Sequence, residues 1–292
     1  MELRVLHYFL AVAREQSILK ASKALHLSQP TLSRQLKNLE MELGKPLFIR
    51  GNRKITLTEE GVLLRKRAEE IVNLVKKTEN EITVFDESIA GDIHIGAGET
   101  DAIRLIVRAA AALQAKHPLL HYHIFSGDSQ DVLERLDKGL LDFGILFDPI
   151  DLSSYHHIRI PKKDKWGVLM RRDSPLARKN SIHPDDLWDK PLIFSRQQKA
   201  GSELSLWFQK DFSQLNIVAT YNLLFNGSLM VEENLGYALC LDNIINTGGH
   251  RNLIFKPLEP ALTLSMNFVW KKYQVFPKAA KKFLEQIKSE IE

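Results

Sequence analysis

The sequence is poor in cysteine and contains no long apolar run. Cys240 is the one cysteine among 292 residues, so the chain cannot form an internal disulfide. The apolar neighbours of this residue in YALCLDN indicate a buried structural thiol rather than a redox sensor. No uninterrupted apolar stretch approaches the ~20 residues that a membrane span needs, and the opening MELRVLHYFL is too polar for a secretory leader. We therefore expect a cytoplasmic protein without a membrane partner.

The sequence also lacks the short motifs of common enzymes. It contains no G-x-x-x-x-G-K-[ST], H-E-x-x-H or G-x-S-x-G. The stretch GAGETD, residues 96–101, stands where a dinucleotide fingerprint would, but Asp101 occupies the place of its third small residue. His121 and His123 would share one strand face, where a surface pair is favoured over a metal site because no third ligand is identifiable. We expect no catalysis, no cofactor and no metal.

Positive charge is concentrated at the start of the chain. Residues 1–57 hold ten Lys and Arg and four Glu, a net charge of +6. Since the whole chain carries +4, residues 58–292 sum to −2. A basic module on a slightly acidic body is the pattern expected when one small part meets a polyanion such as DNA. Charge alone also fits a solvated basic face.

Capping and periodicity predict three helices in the basic module. Ser17 is suited to cap a short helix from Ile18 to about His26, and Ser28 to cap a third helix with Pro30 in its first turn. The opening helix places its apolar residues on one side: Leu3, Leu6, Phe9, Leu10 and Ala13. The second helix has a stripe of small and apolar residues: Ala21, Ala24 and Leu25. Short turns between helices favour close packing of the three.

The third helix has two different faces. Leucines recur at helical spacing and predict a buried stripe: Leu32, Leu36, Leu39 and Leu43. The other face is polar and basic: Gln29, Thr31, Ser33, Arg34 and Lys37. A helix, a short turn and a second helix of this kind predict a helix-turn-helix, whose second helix enters the major groove of DNA.

A basic hairpin follows the helices. The stretch KPLFIRGNRKITLT predicts strands at about 47–50 and 54–57 around a Gly51-Asn52 turn. Arg50, Arg53 and Lys54 would cluster at its tip. Such a hairpin beside a recognition helix is a wing, suited to phosphate or minor-groove contacts.

Residues 1–60 resemble the winged helix-turn-helix of the LysR-type transcriptional regulators. The stretch ASKALHLSQPTLSRQLKNLEMELGKPLFIRGNRKITLTEEG closely follows that family's signature, except that Ser22 stands where a second Ala usually follows Ala21. The resemblance implies a DNA-binding domain at 1–57. With the polar face and the wing, the predicted DNA-binding residues are Gln29, Pro30, Thr31, Ser33, Arg34, Lys37, Arg50 and Arg53.

A long helix is predicted after the wing. Thr58 is suited to cap it, Glu59 and Glu60 favour a helix start, and no proline follows before about Ser88. Roughly 30 residues give a rod of about 45 Å, and its apolar stripe needs a partner: Val62, Leu63, Ala68, Ile71, Val72, Val75, Ile82 and Phe85. The resemblance implies a linker at 58–90 that pairs antiparallel in a homodimer, within a homotetramer, on promoter DNA with an imperfect inverted repeat. A helix packed on its own body is the alternative.

Strands alternate with helices in the rest of the chain. DIHIGA, HYHIF and LDFGILF predict strands separated by helices, the order of a parallel, doubly wound sheet. The resemblance implies an effector-binding domain at 91–292 with two Rossmann-like subdomains, 91–161 plus 266–292 and 162–265, in the manner of a periplasmic binding protein. The predicted fold class is α/β, with a winged helix-turn-helix, a linker helix and this effector domain.

Candidate effector contacts follow from topology, because ligands of open α/β sheets lie beyond the carboxyl ends of the strands. The candidates are Gly98, Thr100, Ser126, Phe147, Ser195, Arg196, Phe225 and Asn226. Helix amino termini with Arg196 would suit a small carboxylate, whereas Glu99 and Asp128 at the mouth would favour an amine. For Ser126, Ser195 and Asn226, simple helix capping is an equal alternative.

The combined features predict a sequence-specific DNA-binding transcription regulator. A small organic effector bound between the two effector subdomains would modulate its DNA binding or activation, and RNA polymerase would be a further partner. A small-molecule-binding protein with only non-specific affinity for DNA is the alternative. A metabolic enzyme with a DNA-binding appendage is disfavoured because the cleft residues contain no recognisable catalytic constellation.

Overall fold

The computed structural model of the protein describes residues 1–51, 54–83, 89–198, 201–248 and 252–291. The chain divides into two compact units, one up to residue 84 and one from residue 85. Among the helices in these ranges, none combines the length and the apolar character that a membrane crossing requires.

The first unit contains helices and a two-stranded hairpin. In chain order its elements are α1 (Leu3–Glu15), α2 (Ile18–Ala24), α3 (Gln29–Leu43), β1 (Phe48–Arg50), β2 (Ile55–Leu57) and α4 (Glu59–Thr83). The strands pair antiparallel with Phe48 opposite Leu57. The predicted order of three helices, a hairpin and a long helix is confirmed.

Serine caps set the starts of α2 and α3, as predicted. The Ser17 hydroxyl accepts a hydrogen bond from the Lys20 N–H at 3.3 Å, and the Ser28 hydroxyl accepts one from the Thr31 N–H at 3.4 Å. Helix α3 ends at Gly44, which has a left-handed φ of 66°. These local signals fix the length of each helix because they satisfy backbone groups that a helix end leaves free.

Two of the predicted buried stripes are wrong in detail. In α2, Ala24 is exposed and Ser22 is buried instead. The Ser22 hydroxyl donates to the Leu19 carbonyl at 3.0 Å, which satisfies its polarity within the helix. In α3, Leu43 is 41% exposed because it lies in the last turn, beyond the reach of the core, whereas Leu36 is 1% exposed.

The linker helix α4 is fixed at its start by a threonine. The Thr58 hydroxyl accepts from the Gly61 N–H at 2.9 Å and donates to the Pro46 carbonyl at 2.8 Å. Ala68 and Val72 are buried in the core of the first unit. The predicted continuation of the helix to about Ser88, with Phe85, lies outside the described residues.

The second unit is built from strands and helices that alternate for much of its length. In chain order they are β3 (Gly91–Ala97), α5 (Ile103–Lys116), β4 (Leu120–Ser126), α6 (Ser129–Asp137), β5 (Phe143–Phe147), β6 (Tyr155–Arg159), β7 (Asp164–Arg171), β8 (Leu192–Ser195), α7 (Glu203–Trp207), β9 (Ile217–Tyr221), α8 (Leu224–Glu232), β10 (Tyr237–Leu241), β11 (Leu253–Pro257), β12 (Thr263–Leu264), β13 (Met266–Lys271) and α9 (Lys278–Ile291).

These strands form two mixed sheets. The first sheet has the order β4-β3-β5-β13-β6, and the second has the order β11-β7-β10-β8-β9, with β12 also paired to β7. Strands β4, β3 and β5 are parallel, as are β10, β8 and β9. Strand β13 is antiparallel to β5, and β7 is antiparallel to β10.

The parallel order predicted for the strands DIHIGA, HYHIF and LDFGILF is confirmed, but both sheets also contain antiparallel strands. The chain leaves the first sheet after β6, forms the second sheet, and returns to the first at β13. The crossover strands β7 and β13 run against their neighbours. Each sheet with its helices is one subdomain of the effector unit, and the prediction of two α/β subdomains is confirmed.

Close helix packing encloses the core of the first subdomain. Helices α5 and α9 cover one face of the first sheet. On the other face, α6 lies so near β3 that a Cβ at Gly96 would stand 2.9 Å from the Val132 Cγ1. In the second subdomain, Cys240 is free and buried, as predicted, and burial raises the pKa of its thiol.

Candidate functional site

The exposed face of α3 brings the predicted DNA-contact residues together. Pro30, Arg34 and Lys37 lie on the side of α3 that points away from the buried leucines. Thr31 and Ser33 flank this side, and Gln29 is the first residue of the helix. Four of these side chains are exposed and two are half-buried: Gln29, Pro30, Arg34 and Lys37, then Thr31 and Ser33. Ser28 and Thr31 are linked through their hydroxyls at 2.8 Å. In the described part of the chain, Arg34 and Lys37 form no ion pair. Their charges are therefore available to a polyanion.

The wing is present as the β1–β2 hairpin. Arg50 is the last residue of β1, and Lys54 is exposed just before β2. The Gly51 N–H donates to the Lys54 carbonyl at 3.1 Å, which closes the turn. Arg53, the predicted wing contact, lies outside the described residues. The hairpin therefore places at least one cation, Lys54, in solvent near its tip.

A cavity of about 340 Å³ lies between the two subdomains of the effector unit. Its walls include residues at the carboxyl ends of strands in both sheets: Phe147 of β5, Ser195 of β8 and Tyr221 of β9. This is the position that the topology of open α/β sheets predicts for a ligand. The cavity also touches Trp166 in β7 and Leu224 at the start of α8.

Two of the predicted effector contacts line this cavity, namely Phe147 and Ser195. The others are not among its described lining residues: Gly98, Thr100, Ser126, Arg196, Phe225 and Asn226. Gly98 lies directly behind the wall, because a Cβ there would stand 2.4 Å from the Phe147 Cε2. Ser126, Phe225 and Asn226 are exposed at the surface. The strand-end rule thus selects two residues of this cavity and six that are not among its described lining residues.

Thr100 has a different position from the one predicted. It is 5% exposed, and its hydroxyl donates to the carboxylate of Asp164 while it accepts from the Ala102 N–H at 3.0 Å. Asp164 begins β7, just after the crossover into the second subdomain, and is fully buried. Burial raises the pKa of Asp164 above its ordinary value. Thr100 therefore joins the two subdomains at their crossover rather than facing the cavity.

Arg196 is also already engaged. Its Nη2 lies 2.8 Å from Asp128 Oδ2 and 2.9 Å from Asp131 Oδ2, across the mouth of the cleft. Burial alone would raise the pKa of Asp128, but the Asp131 backbone N–H and the Arg196 guanidinium outweigh it and hold that pKa below its ordinary value. The expectation that Arg196 would receive an effector carboxylate does not fit this double ion pair.

Glu99 makes a third connection between the subdomains. It follows β3, and its carboxylate accepts the Leu224 N–H at the start of α8. Burial raises the pKa of Glu99, although the N–H groups of Leu224 and Phe225 act in the opposite direction. The amino terminus of α8, where an anionic ligand would be favoured, is therefore occupied by the protein's own carboxylate.

The aromatic wall of the cavity was not predicted from the sequence. Trp166 is 6% exposed, and Tyr221 donates its hydroxyl to the Leu239 carbonyl at 2.8 Å. Trp166 lies near the start of the antiparallel strand β7, where a rule based on the carboxyl ends of parallel strands does not apply. Tyr221 ends β9, so the same rule that selected Phe147 could have found it.

The histidine pair lies outside the cleft. His121 and His123 are exposed on β4, and His123 Nε2 is 3.3 Å from Asp92 Oδ1. Within the described ranges, no group of three His, Cys, Asp or Glu side chains is arranged to hold a metal ion. The pair is a feature of the exposed sheet face.

Comparison with known families matches both units. The family model described as "Bacterial regulatory helix-turn-helix protein, lysR family" matches residues 3–62. The model described as "LysR substrate binding domain" matches residues 86–292. The two matches cover the helices with the wing and the two-subdomain unit, respectively.

Individual relatives agree with the family matches. The transcriptional regulator IlvY of Escherichia coli strain K12 is 29% identical over 214 residues, 72% of this chain and 71% of IlvY. BsdA, a transcriptional regulator of Bacillus subtilis strain 168, is 37% identical over 146 residues, 50% of each chain. The crystal structure of full-length CbnR complexed with its target DNA has a TM-score of 0.75 at 17% identity, covering 99% of this chain and 100% of that one. This chain belongs to the LysR family of bacterial transcriptional regulators, which bind DNA and respond to small-molecule effectors.

Proposed function

We propose that α3 reads operator DNA in the major groove, within a DNA-binding domain at residues 1–57. The observation that carries this proposal is the exposed polar and basic side of α3 opposite a buried leucine stripe. Its contacts are Gln29, Pro30, Thr31, Ser33, Arg34 and Lys37. The wing residues Arg50 and Arg53 add phosphate contacts. CbnR, whose fold is similar, is bound to its target DNA in the crystal.

The linker helix at 58–90 pairs antiparallel with its mate in a homodimer. Four large apolar side chains of α4 are between 39% and 78% exposed and lie within about 100° of one another around the helix axis: Leu63, Ile71, Leu74 and Ile82. Ala68 and Val72 are buried within the first unit, so this stripe is a second apolar side. A second copy of the helix would cover it. Two dimers form a homotetramer.

A small organic effector occupies the cavity between subdomain I, residues 91–161 plus 266–292, and subdomain II, residues 162–265. The side-chain bridges from Arg196 and Glu99 span the cleft, so a ligand between the walls changes how far the cleft is closed. This change alters the spacing of the DNA-binding domains, and with it DNA bending and recruitment of RNA polymerase. The protein acts in the cytoplasm, without a cofactor and without a catalytic step.

Footprinting of the full-length protein on its own upstream intergenic DNA tests the DNA part of this proposal. A dimer predicts two protected half-sites related by an imperfect inverted repeat, with centres one helical turn, ~10 base pairs, or a multiple of it apart. A uniform ladder without protected segments would support the alternative, non-specific attraction to DNA. A single isolated half-site would contradict the dimer.

A further inference from the structure

The cavity wall is rich in aromatic rings. Phe147, Trp166 and Tyr221 all line it. The faces of such rings attract organic cations, and tryptophan does so most strongly. Trp166 also carries an indole N–H on a side chain that is 94% buried, and this N–H has no hydrogen-bond partner within the described residues. A donor that lacks a protein partner, on a residue that lines a cavity, favours a ligand with a hydrogen-bond acceptor.

Among the described residues of the wall, the charged groups are all negative. The cavity is lined by the carboxylates of Glu99, Asp148 and Glu203, and no Lys, Arg or His is among its described lining residues. Asp148 is neutralised by Arg159 and bonded to the Asn267 amide at 2.8 Å. Among the described residues, Glu99 is bonded to backbone N–H groups only, so this lining carboxylate has no cationic partner there.

The two strongest features for binding an anion are already occupied. The amino terminus of α8 is occupied by the Glu99 carboxylate. Arg196 is shared by Asp128 and Asp131. A ligand carboxylate would have to displace one of these internal carboxylates and approach a second negative charge, and both steps cost free energy. A protonated amine need not displace an internal carboxylate, and the negative charges of the wall attract it.

We propose that this cleft binds a small protonated amine that also carries a neutral hydrogen-bond acceptor. The ammonium group lies beside Glu99 and against the aromatic faces, and the acceptor receives the Trp166 N–H. Glu203, another lining residue, forms no ion pair with the described residues and adds to the negative potential. The inference rests on the proposed function, which makes this cavity the effector site, and it decides between the carboxylate and the amine that the sequence leaves open.

Three probes of equal size but different charge test the inference: benzylamine, benzyl alcohol and benzoate. Each is titrated into the full-length protein at pH 7 and followed by ligand-observed NMR. We expect benzylammonium to bind at least about 10-fold tighter than benzoate, which corresponds to ~1.4 kcal/mol. The preference should disappear in Glu99→Gln, because Gln keeps an acceptor for the Leu224 N–H but removes the charge.

Glu233→Gln is the matched control, since Glu233 is exposed at the end of α8 and is not a lining residue. It should keep the preference for the amine. In the wild type, 4-methoxybenzylamine should bind more tightly than 4-methylbenzylamine, because its ether oxygen can accept the Trp166 N–H. Trp166→Phe keeps a ring but removes this donor, so the two amines should then bind with equal affinity.

Tighter binding of benzoate, no detectable binding of benzylammonium, or an unchanged preference in Glu99→Gln would each overturn the inference. Operator binding by the same preparation is measured in parallel. If the protein still selects its upstream DNA while the amine fails, the proposed regulator stands and only the ligand class is wrong.

Discussion

At the residue scale, internal carboxylates hold the two walls of the cleft together. Asp128 and Asp131 at the start of α6 share Arg196 from the end of β8, and Glu99 reaches the start of α8. These groups lie in separate subdomains, so each bond contributes to the closed arrangement of the cleft. Opening of the cleft would break these bonds.

Asp128→Asn should weaken this closure in a pH-dependent way. Asn is as good a helix cap as Asp, so the change removes the charge facing Arg196 and leaves the start of α6 intact. The native pKa of Asp128 lies below its ordinary value. Its contribution to the free energy of unfolding is therefore fully present above the unfolded-state pKa and is lost as the pH falls through the native pKa. Since Arg196 is 49% exposed, we expect a loss of only ~0.5–1 kcal/mol at pH 7.

Urea unfolding of the wild type and the variant at pH 7 and at pH 3 measures this loss. Asp185→Asn serves as the control because Asp185 is exposed and forms no bridge across the cleft. The difference in the free energy of unfolding between the wild type and Asp128→Asn should be smaller at pH 3 than at pH 7. A gap that is the same at both pH values would show that the ion pair is not its cause.

Residue positions with local partners could be predicted from the sequence, and those with distant partners could not. Ser17 and Ser28 bond to backbone groups three residues away, so their capping roles were predicted. Thr100 bonds to Asp164, 64 residues away, and Arg196 to Asp128, 68 residues away. No periodicity encodes such pairs, and both residues were therefore predicted to face a ligand.

At the element scale, α4 has two apolar sides, of which one is packed and the other is exposed. One side packs into the first unit through Ala68 and Val72. The other exposes the stripe that contains Ile71 and Leu74. The double variant Ile71→Lys with Leu74→Lys should raise the dissociation constant of the proposed dimer by at least about 10-fold, because it places charge in an apolar contact.

Analytical ultracentrifugation across a concentration series measures the dimer dissociation constant. Asn73→Lys is the control, since it adds charge to an exposed position of α4 away from the stripe. An unchanged dissociation constant in the double variant would place the dimer contact elsewhere.

Elements with strong periodicity were predicted, whereas short edge strands were not. The strand LDFGILF and the helix with Leu32 and Leu36 carry clear patterns and were predicted correctly. Strand β6 has the sequence YHHIR, with mainly exposed or half-buried residues, and β12 has two residues. Their strand conformation depends on pairing with β13 and β7, which is a property of the assembled sheets.

At the scale of the whole molecule, the chain combines a DNA-reading unit and an effector unit. Their matches to the two LysR family models are independent of each other, and the charge pattern agrees, since the first 57 residues carry the net positive charge. The order of the units and the presence of a cleft were predictable through the family resemblance. The acidic, aromatic character of the cleft was not, because it arises from residues of both subdomains.

The most direct test of the regulator is the affinity of the purified full-length protein for its own upstream intergenic DNA and for a scrambled duplex of equal length, across a salt series. We expect the upstream duplex to be preferred by ~10³-fold or more at physiological salt, and Arg34→Ala to reduce this ratio while Arg4→Ala, an equal loss of charge on α1, does not. Equal and steeply salt-dependent binding to both duplexes would contradict sequence-specific regulation.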